Sequence, residues 1–170
     1  MQRNSTPGLE RDCFAGRETC LKQKWPLLLK SRYHLAGMEM LMSYELRFNV
    51  EADLLRVEIF GERPKDKDAL RKASHEGWRA IARVATEQER DRLLVVSHAR
   101  GDYPTVKAYE INSTLAECGV QRGWKIAFVN LDSDSFQDVK FAETVAVNRG
   151  FDIAVFRSEE VARNWLVQPI

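Results

Sequence analysis

The pattern of this chain predicts an α/β fold: a mixed sheet of about five strands, an N-terminal antiparallel hairpin and then parallel strands, flanked by four helices. Three observations carry that prediction. Residues 124–166 read strand, helix, strand, helix, and parallel strands joined by a helix need a right-handed crossover. The inner strands Leu93–Val96, Trp124–Leu131 and Asp152–Phe156 are apolar on both faces, as strands covered on two sides must be. Residues 44–59 instead alternate apolar with polar, which marks strands with one wet face.

Each element follows from its residues. Tyr44, Leu46, Phe48 and Val50 alternate with Glu45, Arg47 and Asn49, and Leu55, Val57 and Ile59 alternate with Arg56 and Glu58. Glu51-Ala52-Asp53 turns the chain between them, so the pair reads as a hairpin at the sheet edge. Asp66 or Asp68 then caps a long helix whose core side is Leu70, Ala73, Gly77, Ile81 and Val84, with Trp78 beside it. His75, between Ser74 and Glu76, is expected to face solvent. After the third strand comes the polar connection 97–104, then a helix from Thr105 with Ile111, Leu115 and Cys118 inward, closed by Gly119 or Gly123. Asp132 to Ser135 crowd the next helix start, where Ser135 and Asp138 are spaced as a loose capping box. Arg149-Gly150 ends that helix, and Ser158 caps the last one, whose greasy side is Val161, Ala162, Trp165 and Leu166.

At 170 residues one domain is expected, spanning 43–170, behind an N-terminal extension at 1–42 that is disordered or loosely packed. Translation starting at Met38, Met40 or Met42 is a second account of that extension. A formal net charge of +1 argues against a nucleic-acid partner, because such domains gather a basic excess on one face. Three cysteines (Cys13, Cys20, Cys118) are odd in number, far apart and without a CxxC pair. They indicate no disulfide framework and fit a cytoplasmic setting. No apolar run reaches the length of a membrane span.

The element order, with DVKFAETVAVNRGF and the closing FRSEEVARNWL helix, resembles the SpoIIAA-like branch of the STAS superfamily over Tyr44–Leu166. The resemblance implies a small bacterial cytosolic domain without a cofactor, related in fold to anti-sigma-factor antagonists. Signalling members carry a phosphorylatable Ser or Thr in an Asp-Ser-Ser-Gly-like motif after the third strand. Asp102-Tyr103-Pro104-Thr105 stands there in this chain, with different spacing and no glycine, so the resemblance points to Thr105 as a phosphoacceptor. Its competitor is simple: Thr is an ordinary helix-cap residue.

In open α/β sheets ligands collect beyond the carboxyl ends of the strands. Ser97, His98, Arg100, Asp102 and Tyr103 follow the third strand there, Asn130, Asp132 and Ser133 the fourth, and Arg157 and Ser158 the fifth. Ser97 and His98 are adjacent in a strand and point to opposite faces, so they make no nucleophile–base pair. No G-x-S-x-G, HxxxH, GxGxxG or P-loop occurs, so no catalytic residue, metal site or cofactor is assigned. Two accounts lead. One is a non-enzymatic regulatory or interaction module meeting a partner protein through these loops. The other is a small-molecule or lipid-binding module with an apolar pocket beside the central strands; a hydrolase ranks third. If all helices lie on one side of the sheet, the other side needs a cover: the N-terminal segment, a second copy in a homodimer, or a ligand.

Overall fold

The computed structural model describes residues 43–168. The expectations placed on residues 1–42, an extension and alternative starts, lie outside them. The elements run β1 (Tyr44–Val50), β2 (Leu55–Gly61), α1 (Lys67–Glu87), β3 (Arg92–Ser97), α2 (Thr105–Ser113), a 3-10 turn (Leu115–Cys118), β4 (Lys125–Asn130), α3 (Phe136–Val147), β5 (Asp152–Phe156) and α4 (Glu159–Val167). The five strands lie side by side in chain order. β1 is antiparallel to β2, and β2 to β5 are all parallel, as the sequence predicts. Leu93 pairs with Ile126 and Ile126 with Ile153, so the three inner strands run in one direction with their apolar residues in step.

That register sorts the side chains into two cores. Leu55, Val57, Leu93, Val95, Ile126 and Ile153 meet Trp78, Ile81 and Ala85 of α1, Ile111 of α2 and Ala146 of α3. On the opposite face Leu94, Val96, Ala127 and Val129 meet Ala162 and Leu166 of α4. The question of what covers the second face is therefore answered by the chain itself. After β5, α4 folds back across β3 and β4, so the helices do not all lie on one side and that face does not need the N-terminal segment, a second copy or a ligand as its cover. Lys125 fixes its end: the buried Nζ donates to the Gln168 carbonyl at 2.8 Å and lies 4.6 Å from the Trp165 ring centre. A cation at a helix C-terminus is the favourable placement.

Three local expectations change. The helix from Thr105 stops at Ser113 instead of running on to Gly119. The Ser113 and Thr114 hydroxyls donate back to the Glu110 carbonyl at 2.9 and 3.1 Å, which competes with helix continuation. The chain tightens into the 3-10 turn and ends at Gly119 with φ +90°. His75 does not face solvent; it is half-buried, its Nε2 2.8 Å from the Thr114 hydroxyl, bridging α1 to the end of α2. Burial and the nearby Arg79 and Arg71 hold its pKa below the ordinary histidine value. The Ser135–Asp138 capping box does not form, because both side chains have other partners, described next.

Candidate functional site

The four parallel strands end on one edge, and the loops that leave them converge there. β2 does not stop pairing at Gly61: His98 N donates to Ile59 O, Arg100 N to Gly61 O and Arg63 N to Arg100 O. This extension sets Arg63 alongside Gly101, inside the loop cluster. Its side chain is only 4% exposed. Nη1 donates to the Gly101 carbonyl at 2.7 Å, to Ser135 Oγ at 3.0 Å and to Asp132 Oδ2 at 3.2 Å. Nη2 donates to Asn130 Oδ1 at 3.4 Å, and the guanidinium lies 5.6 Å from the Tyr103 ring centre. One arginine thus joins the loop after β2 to those after β3 and β4.

The acceptors are themselves tied together. Ser135 Oγ donates to Asp132 Oδ2 at 2.9 Å and accepts from Asn130 Nδ2 at 3.1 Å. Asn130 Nδ2 also reaches the Asp132 carbonyl, and the Asp134 amide donates to Asp132 Oδ1. Those bonds, led by the one from Ser135 and helped by Arg63, hold the Asp132 carboxyl below the usual aspartate range. Ser135 is thereby taken from capping α3. A second tie closes the rim on the far side, where Arg157, after β5, sits 3.9 Å from the Phe136 ring centre at the start of α3.

The residues expected from sequence separate into groups. Asn130, Asp132 and Tyr103 belong to the Arg63 cluster. Ser97 is buried on the side of α1 to α3, while His98 faces the other way, stacked on Phe60 at 4.4 Å between ring centres. Their opposite directions are those the strand dictates, and no nucleophile–base pair forms between them. Arg100, Asp102 and Ser133 are exposed on the rim. Thr105 is the first residue of α2, with Pro104 at the cap position, and its hydroxyl donates to Asp138 Oδ1 at 2.7 Å. Asp138 is spent on that bond. Among the described residues no group of three His, Cys, Asp or Glu side chains converges as a metal site, and no helix is long and apolar enough to cross a membrane.

Two spaces flank the cluster. Outside it lies an open polar cleft of about 510 Å³, lined by His98, Arg100, Asp102, Asp132, Asp134 and Asp138 among others. Inside it, between the sheet and α1 to α3, is a largely apolar cavity of about 80 Å³. Arg63 and Tyr103 border the cavity, and Tyr103 borders both spaces. Arg63 is the residue that sequence reasoning missed. It sits in a polar connection before a proline, where a charge reads as solvated, and its partners are 38 to 72 positions away. The chain matches no known family model and no curated protein.

Proposed function

We propose that this protein is a non-enzymatic, STAS-like regulatory or protein-interaction module of the bacterial cytosol, and that the rim at the carboxyl ends of β2 to β5 is its contact surface. The observation that carries the reading is the open polar cleft, whose walls are loops held in place by one buried arginine. A contact surface needs fixed loops more than reactive groups, and interface geometry held in advance reduces the entropy lost on binding. Asp102 and Asp134 face the cleft without a cationic partner among the described ion pairs, whereas Asp132 is engaged by Arg63. That balance suits a partner segment carrying Lys or Arg. Thr105 fits the same reading as a switch. A phosphate there would exchange its hydrogen bond to Asp138 for like-charge repulsion and move the start of α2.

Site-directed photo-crosslinking in cells tests this. A photoreactive residue at Asp134 should yield a discrete protein adduct that the same residue at Glu87, at the opposite end of α1, does not. Adducts that are absent, or identical from both positions, would remove the reading.

A second reading, a small-molecule-binding module, is favoured by the interior cavity. Its volume is well below the several hundred cubic ångströms of ordinary ligand pockets, which argues against a lipid and for something small.

A further inference from the structure

The interior cavity has a chemical polarity of its own. Trp78, Phe128, Val139 and Val155 supply apolar wall, while Tyr44, Arg63, Ser74, Tyr103 and Asn112 gather toward one end. Their closeness is visible in their interactions. Asn112 Nδ2 donates to the Tyr103 hydroxyl at 3.5 Å, Tyr44 and Ser74 line the same space, and both phenols feel the charge of Arg63. Two features of this end ask for an acceptor. The enclosed Tyr103 hydroxyl meets no acceptor for its own proton among the described residues. Arg63 Nη2 carries two N–H groups, and among the described residues its one bond is the long one to Asn130. The one carboxylate lining the space, Glu143, is already held by Lys140 and by the Val155 amide.

A second observation concerns Gly77, in the middle of α1 and bordering the cavity. A Cβ built there would meet nothing within 4 Å. Glycine is unfavourable in a helix interior compared with alanine. Here no clash requires it, and its effect is to leave space beside Trp78.

We propose that this cavity binds a small aliphatic carboxylic acid about the size of acetate, its carboxylate held by Arg63 Nη2 and the Tyr103 hydroxyl and its methyl group against Trp78, Phe128 and Val155. The proposal rests on the small-molecule reading above and names its ligand class. The size follows from volume: an apolar cavity of about 150 Å³ holds the six heavy atoms of benzene, so a space of about 80 Å³ suits roughly three or four. Arg63 also gives the ligand an outlet. The same guanidinium holds Gly101, Asp132 and Ser135, so an anion beside it competes with the bonds that fix the rim.

The test is an NMR titration of the full chain at pH 7 and constant ionic strength, with acetate and, separately, acetamide. Acetate should shift the resonances of Tyr103, Phe128 and Val155 and bind about tenfold tighter than acetamide, the worth of one charge-assisted hydrogen bond. Tyr103→Phe should reduce that preference, and Gly77→Val, which fills the cavity, should abolish binding of both probes. The amide spectrum of each variant reports whether it is folded, and the two variants test the site independently. Equal affinities would overturn the carboxylate assignment and leave an apolar pocket standing. A preference undiminished by Tyr103→Phe would overturn it as well. Binding of neither probe would remove the pocket reading too, and binding unaffected by Gly77→Val would place the site elsewhere.

Discussion

Two arginine–carboxylate systems hold this fold together, and they differ mainly in how much water they see. At the rim, Arg63 is 4% exposed and Asp132 17%. On the outer face, toward α4, Arg56 bonds to Glu58 and Glu159, and Arg163 to Glu159 and Glu51, with side chains 20 to 36% exposed. The outer ladder fastens α4 to β2 and to the β1–β2 turn beside the apolar contacts of Ala162 and Leu166. Water competes for every member of it, so each pair contributes little. The rim cluster has no such replacement. A guanidinium deprived of its acceptors there remains buried and charged, which makes the cluster costly to break and strict about loop position. The same chemistry serves as a fastener on one side of the sheet and as a mould for the loops on the other.

The largest expected effect is at Asp132. Asp132→Ala leaves Arg63 without its carboxylate and should cost about 3 kcal/mol in urea denaturation. A loss as small as that of an outer-face variant would erase the distinction. Next comes the acid dependence of the same residue. Its folded pKa is depressed, so its contribution is present above the unfolded value near 3.8 and is lost as pH falls through the lower folded value. Asp132→Asn should therefore be less stable than the wild type by about 2 kcal/mol at pH 7. The two stability curves should converge below pH ~3.8; curves that stay parallel would mean the charge is not what matters.

Arg163→Ala should cost about 0.5–1 kcal/mol at low salt and less in 1 M salt, because screening shortens to about 3 Å. A cost independent of salt would assign Arg163 a packing role instead. Smallest of all, Thr105→Asp should change stability by no more than about 0.5 kcal/mol, since the side chain is on the surface. It should nonetheless alter crosslinking from Asp134, and an unchanged adduct would count against a switch at that position.

Much of the fold was legible because its determinants are local. Alternation in 44–59, doubly apolar strands at 93–96 and 125–129, and Gly150 with φ +80° after α3 each act over a few residues. The early end of α2 was also written locally, in Ser113-Thr114, whose hydroxyls donate to backbone carbonyls; the apolar spacing of Ile111, Leu115 and Cys118 concealed it. The rim was half legible. Parallel topology alone places Asn130, Asp132 and Tyr103 at one edge. Arg63 was not legible, because its role is set by acceptors on other loops that only the folded sheet brings within 3.5 Å. His75 was misread for the same reason, its partner Thr114 lying 39 residues away.

Arg63 fixes the rim loops as a unit. Hydrogen–deuterium exchange on Arg63→Met, compared with the wild type under conditions where both are folded, tests it most directly. Residues 98–105 and 131–138 should lose protection together while α4 and the outer-face ladder keep theirs. Unchanged exchange in those two loops, or a loss spread evenly over all the helices, would contradict it.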